Sequence, residues 1–221
     1  VPVLDIFDKP MADWDIVAKS IFDRVVGCAM LVVLAPVMLA VALAVRLGSP
    51  GPVLFRQKRY GFNNELIEVY KFRSMYVNQS DAGAARLVTR DDPRVTPVGR
   101  FIRKTSLDEL PQLFNVIKGE LSLVGPRPHA LQAKAANTLY DQVVDGYFAR
   151  HKVKPGITGW AQVNGRNALS WPEKFRLDVW YVDNRSFWLD IRILLLTCMQ
   201  HVAQARIKPL LFDIMQTLEL L

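Results

Sequence analysis

The 221-residue sequence holds only two cysteines, Cys28 and Cys198, and both sit inside apolar runs. Two such cysteines make no disulfide framework, so a reducing, cytosol-facing setting is the simplest reading. Histidine is nearly as scarce: His129, His151 and His201 are scattered and show no zinc-ligand spacing. The sequence has no Walker A motif, no dinucleotide fingerprint, no internal repeat and no low-complexity tract. Acidic residues run short of basic ones, 21 Asp+Glu against 28 Lys+Arg, for a net charge of +7. That surplus suits an anionic partner: nucleic acid, acidic lipid headgroups or a phosphorylated substrate. Nucleic acid fits poorly, since no recognised binding motif is present and a long apolar segment would go unexplained. The length suits one large domain or two small ones. The first residue is Val1 rather than Met, which points to a processed or excised piece of something longer. No secretory signal opens the chain.

One stretch lacks charge altogether: "VVGCAMLVVLAPVMLAVALAV", Val25 to Val45. As a straight helix it would reach about 31 Å, the thickness of a bilayer's hydrocarbon core. Pro36 stands near its middle, where it removes a backbone hydrogen bond and clashes with the preceding turn. Positive residues flank it on both sides, Lys19 and Arg24 before it and Arg46, Arg56, Lys58 and Arg59 after it. Such flanks belong in the cytoplasm, so both ends are expected there. A helix–break–helix hairpin satisfies both observations, with arms of about 15 Å that dip into one leaflet and return. A spanning helix and a buried core helix are the competing readings, and the last lacks the usual polar face.

"GSPGP", residues 48–52, is loop chemistry. Two strand-like runs flanking "FNNE" then predict a β-hairpin turning at Asn63-Asn64. Residues 76–95 read as a polar surface loop. Thr96 followed by Pro97 predicts a helix start, and Arg100, Arg103 and Lys104 share one face of that helix. A solvated face explains those three charges as well as a binding role does.

Next comes "TSLDELPQLFNVIKGELSLVGPRPH", residues 105–129. Pro111 belongs among the first residues of a helix, which puts Asp108 and Glu109 at its N-terminus. Ser106 and Glu109 match a capping box, a purely structural role. A carboxylate at a positive helix end also ionises more easily, as a carboxylate nucleophile must. The residues alone leave both readings open. Further on, the glycines of "VKPGITGWAQVNGR" (153–166) imply only turns, and "SWPE" at Ser170 is a second S-x-x-E start. "FWLDIRILLLTCMQHV" predicts a last apolar helix, packed either at the membrane surface or in the core.

"LFRQKRYG", "KFRSM", "DDPRVTPVGRFIRKTSLDELPQLFNVIKGELSLVGPRPH", "KPGITGWAQVNGR" and "EKFRLDVWYVDNRSFWLDIRIL" together resemble the bacterial sugar transferase family. These are monotopic polyprenyl-phosphate hexose-1-phosphate transferases, and the likeness runs from about Lys19 to Leu196. The resemblance implies transfer of a sugar-1-phosphate from a UDP-sugar to undecaprenyl phosphate, with release of UMP. It makes Asp108 the nucleophile that forms a phosphosugar-aspartyl intermediate, and Glu109 the ligand of Mg2+. Arg127 and Arg166 match phosphate-binding positions, Lys71 a basic active-site position, and Arg100 and Arg103 are weaker candidates. Mg2+ neutralises a diphosphate while keeping phosphate oxygens as ligands, so one Glu is sufficient.

The fold expected is α+β: a mainly helical catalytic domain with a small β-hairpin and an N-terminal re-entrant hairpin broken at Pro36. Its parts are a linker at 1–18, the membrane hairpin at 19–48, a cytoplasmic catalytic domain at 49–205 and a tail at 206–221. The family tail does not match residues 206–221. The resemblance places the chain on the cytoplasmic leaflet of a bacterial inner membrane, initiating surface glycan assembly. Which UDP-sugar is used, and whether the chain is a homodimer, stay open. The rival reading is a basic peripheral membrane protein without chemistry, indifferent to Asp108.

Overall fold

The first helix sets the frame. In the computed structural model, which describes residues 13–79, 89, 92–129, 134–135, 138–139, 147–165 and 169–204, α1 spans Asp13–Gly48. The expected tail and residues 1–12 of the expected linker lie outside the described residues. Asp23, Gly27, Leu31, Leu34, Met38, Val41 and Val45 of α1 recur every three or four positions and turn toward the body. Val25, Val32, Val33, Leu39, Leu43 and Leu47 form the opposite, exposed face.

The expected break at Pro36 does not interrupt this helix, which continues through the proline. Pro36 sits on the exposed face, so the hydrogen bond it removes lies on that side. The packed stripe holds the turns before and after it. Both ends of α1 are tied to the same body. Lys19 Nζ lies 2.7 Å from Asp190, and the Leu123 N–H donates to Asp23 over 3.3 Å. At the other end buried Arg73 donates to the carbonyls of Ser49 (2.7 Å), Val45 (3.3 Å) and Pro50. A cation there complements the negative end of the helix dipole.

The expected hairpin forms from β1 (Leu54–Tyr60) and β2 (Leu66–Phe72), antiparallel, with Phe55 opposite Lys71. Asn63 and Asn64 hold positive φ in its 3₁₀ turn, a region asparagine tolerates. The short helix α2 (Pro97–Lys104) starts as its sequence predicts, with Thr96 accepting from the Gly99 N–H over 2.9 Å.

After α3 (Gln112–Lys118) come β3 (Ser122–Val124) and two small strands, β4 (Lys134–Ala135) and β5 (Thr138–Leu139), which pair with each other. β6 (Gly156–Thr158) lies parallel to β3. The glycines here do more than turn the chain. A Cβ on Gly156 would sit 2.1 Å from the Gly125 nitrogen, and one on Gly159 would sit 2.2 Å from the Gly125 oxygen. They let two backbones touch.

Three helices complete the body: α4 (Trp160–Val163), α5 (Trp171–Asp183) and α6 (Phe187–Gln204). The fold is mostly helical with little sheet, compatible with the α+β expectation. One core joins α3, β3, α5 and α6 through residues such as Val116, Val124, Tyr181 and Ile193. A second joins α1 to β2 and α2 through Val45, Phe72 and Ile102. α6 thus buries Ile193 in the core while Trp188 on the same helix stays exposed.

Candidate active site

Asn115 positions the site. Fully buried in α3, it donates to the Glu68 carbonyl (2.7 Å) and accepts from the Tyr70 N–H (3.0 Å). That clamp fixes α3 against β2 and brings the turn ahead of α3 beside Lys71. The turn is a 3₁₀ segment, Leu107–Glu109, entered through Ser106 at φ 57°. The capping box that Ser106 and Glu109 match in sequence, one of the two readings left open, does not form: the Ser106 side chain makes no capping bond, and Glu109 meets Lys71 and Arg127.

Glu109 accepts from Lys71 Nζ over 2.9 Å and from both terminal nitrogens of Arg127, one of them at 3.2 Å. Burial alone would raise its pKa, but Arg127 and Lys71 together hold the carboxyl well below the usual range. Asp108 behaves oppositely. Burial, with help from the Glu109 charge, pushes its carboxyl up, against the pull of Lys71, Arg103 and Arg127. The sequence expects a helix N-terminus to favour its charged form. Asp108 instead precedes α3, which begins at Gln112, and the dipole effect fades within a turn.

The cations crowd one another. Burial, reinforced by Arg59 and Arg127, brings the Lys71 ammonium down to about 8 despite Glu109. Arg59 on β1 falls to about 10, chiefly through burial and then through Arg127. Four cations therefore surround two carboxylates: Lys71, Arg59, Arg127 and, more distantly, Arg103. Such a site carries spare positive charge for a ligand more anionic than its own acids.

Behind it lies a layer that sequence reasoning missed. Arg150 is buried, pairs with Asp178 of α5 at 2.7 Å, and donates to the Arg127 carbonyl over 2.5 Å. It also approaches His129 Nδ1 at 2.7 Å, and burial with that neighbour keeps the imidazole well below its ordinary pKa. Arg59 donates to the Pro128 carbonyl, so both arginines grip the "GPRP" backbone. A lone acid within the apolar "LDVWYV" was the available signal for Asp178; Arg150 had none.

The structure thus brings Asp108, Glu109, Lys71 and Arg127 together, with Arg103 in electrostatic reach. Arg100 is exposed on α2 and makes no side-chain bond among the described residues. Arg166 lies outside the described residues. Among the described residues, no three His, Cys, Asp or Glu gather in a metal-holding group.

The family model described as "Bacterial sugar transferase" matches residues 14–204. The chain is 51% identical over 199 residues to the undecaprenyl-phosphate glucose phosphotransferase of Komagataeibacter xylinus, covering 88% of this chain and 37% of that protein. It is 48% identical over 202 residues to the UDP-glucose:undecaprenyl-phosphate glucose-1-phosphate transferase of Escherichia coli K12, covering 89% and 43%. It is 45% identical over 166 residues to the UDP-N-acetylgalactosamine-undecaprenyl-phosphate N-acetylgalactosaminephosphotransferase of Aeromonas hydrophila, covering 74% and 38%. The chain therefore spans well under half the length of these relatives. With most of its length matched and its acidic pair set among arginines, the chain belongs to the bacterial sugar transferase family.

Proposed function

We propose that this chain transfers a sugar-1-phosphate from a UDP-sugar to undecaprenyl phosphate, releasing UMP. The observation that carries the reading is the carboxylate pair, Asp108 beside Glu109, enclosed by Lys71, Arg127 and Arg59. Relatives named for glucose and for N-acetylgalactosamine transfer support the acceptor and donor classes.

In this reading an Asp108 oxygen attacks the phosphorus that bears the sugar. The bond from that phosphorus to the UMP oxygen breaks, and UMP leaves with the electron pair. An oxygen of undecaprenyl phosphate then attacks the same phosphorus, and the bond to Asp108 breaks to restore the carboxylate. Burial suits a nucleophile that must shed water before reacting. Lys71 and Arg127, now spent on Glu109, are placed to move their hydrogen bonds onto the diphosphate.

Mg2+ fits the donor set: two adjacent carboxylates with hard oxygens, too few for a closed cage, suit an ion that keeps phosphate ligands. Glu109, with Asp108 beside it, would hold the ion, which supplies charge neutralisation at the diphosphate. Both ends of α1 reside on one body, and its outer face is apolar. That supports α1 lying in the cytoplasmic leaflet of a bacterial inner membrane with both flanks on the same side, where the chain would initiate surface glycan assembly.

The test uses UDP-sugars labelled in the sugar-bearing phosphate, offered as a panel with Mg2+ and without acceptor lipid. The wild type becomes labelled with its cognate donor and loses the label when undecaprenyl phosphate is added. Asp108→Asn takes no label and releases no UMP, while keeping its fold. More than a few per cent of wild-type UMP release from that variant would sink the covalent assignment. Indifference of UMP release to EDTA would remove the metal.

A further inference from the structure

A cavity of about 240 Å³ lies at the opposite end of α3 from Glu109. Its walls are the N-terminal part of α1, the loop after α3, the approach to β6 and the turn between α5 and α6. Apolar surface from Ile16, Phe62 and Val116 lines it alongside Lys19, Arg24, Lys154 and Arg185. None of these belongs to the candidate active site.

The charges in it are unbalanced. Lys19 is spent on Asp23 and Asp190, at 3.2 and 2.7 Å. Arg24 bonds to Ser20 of its own helix. Lys154 and Arg185, both half-buried, make no hydrogen bond or ion pair among the described residues, and Arg185 Nε is buried with no acceptor. Gly119 marks where two of these heads converge. A Cβ there would lie 2.6 Å from Arg24 Nη2 and 3.7 Å from Lys154 Nζ. Burial, then Arg24, and then Arg185 and Lys19 lower the Lys154 pKa, against the pull of Asp23, a cavity carboxylate already paired with Lys19.

Two half-buried cations without a partner among the described residues, Lys154 and Arg185, are costly unless something anionic joins them, and the exposed Arg24 head adds to their charge. Position narrows the choice. The cavity touches Ile16 and Ser20, about one and a half to two and a half turns before the apolar run whose outer face is exposed. An anion bound here with an apolar tail can lay that tail along α1. We propose that the cavity binds the headgroup of an anionic membrane phospholipid, its phosphate held by Lys154, Arg185 and Arg24. The idea rests on α1 lying at a membrane surface; the cavity's charge does not depend on it.

The experiment uses the full chain in neutral detergent. Calorimetric titration with dihexanoyl-phosphatidylglycerol is compared with dihexanoyl-phosphatidylcholine and with inorganic phosphate. Saturable phosphatidylglycerol binding, at least tenfold tighter than either control, is expected. Lys154→Gln with Arg185→Gln should weaken it at least tenfold while UMP release in neutral detergent stays unchanged. Lys154→Gln alone, which breaks no bond, should weaken it severalfold with an unaltered melting curve. Equal binding of both lipids, or full binding by the double variant, overturns the proposal. Inorganic phosphate binding as tightly as the lipid overturns it in favour of a free anion. A severalfold rise in KM for undecaprenyl phosphate in the variants reassigns the cavity to the acceptor and also overturns it. Flotation of the wild type with neutral phosphatidylcholine vesicles reads the α1 placement separately.

Discussion

The chain writes the same local instruction twice: Ser106-x-x-Glu109 and Ser170-x-x-Glu173. At the second, Glu173 turns back and accepts from the Ser170 N–H over 2.7 Å, and α5 begins there. At the first, Ser106 adopts positive φ and Glu109 leaves its own turn to meet Lys71 and Arg127. The difference lies in the surroundings. Ser170 and Glu173 are exposed and have no stronger offer than each other. Glu109 is almost enclosed and faces two cations, and charge-assisted bonds outweigh a cap. A sequence that forgoes a good local cap has put the side chain to another use, and here that use is the candidate active site.

Matched substitutions should break this comparison apart. Glu109→Gln removes the negative charge and one of the two acceptor oxygens that Lys71 and Arg127 share, and weakens any Mg2+ site. A loss of UMP release on the order of a hundredfold or more is expected, not fully restored by excess Mg2+. Glu173→Gln should leave UMP release intact and lower the melting temperature only slightly. Equal activity of the two variants would mean that Glu109 is merely a misplaced cap.

The contrast also shows which features were readable in sequence. The starts of α2 and α5 and the Asn63-Asn64 turn were legible, because each rests on chemistry within four residues. The parallel contact of β3 with β6 was not. It joins segments more than thirty residues apart, and its glycines look like turn residues until the backbones are seen to touch. Asn115 and the Arg150–Asp178 pair were hidden likewise, since a buried polar residue in a short helix has no periodic signature. α1 misled for the opposite reason. It is apolar on every side, so its pattern cannot tell the face that packs on the body from the face that does not. Asp108 and Glu109 stood out as an acidic pair before a helix, Lys71 and Arg127 through family motifs, and the structure adds their shared location.

Lys71 sharpens the comparison through pH. Its ammonium, crowded down to about 8, loses its proton as pH rises through that value, and with it one clamp on an anionic substrate. The alkaline limb of kcat/KM, which reports the free enzyme, should therefore fall near pH 8. Lys71→Arg keeps its charge far higher and should move that limb up by more than one pH unit, at a modest cost in rate. An unchanged limb would detach Lys71 from the reaction.

The smallest effect is expected at Pro36, where sequence and structure diverge most. From the sequence, Pro36→Ala restores a helical hydrogen bond and frees a straight helix of spanning length. In the structure the helix already runs through the proline, and its placement is set elsewhere. Lys19 is bound to Asp190 at one end, and Arg73 holds the last carbonyls at the other. To cross a membrane, α1 would have to break one of these anchorages and strip its inner stripe from the core. Adding one outward hydrogen bond supplies too little to do so. Reporter cysteines before Lys19 and after Arg56, with exposed Cys28 and Cys198 first changed to Ser, should therefore label from the same side. The same result is expected with Pro36 and with Ala, and the alanine variant should melt at the same temperature or slightly higher. Labelling of the wild-type flanks from opposite sides would show that α1 leaves the body to span the bilayer. Opposite-side labelling of the variant alone would make Pro36, rather than the two anchorages, the determinant of topology.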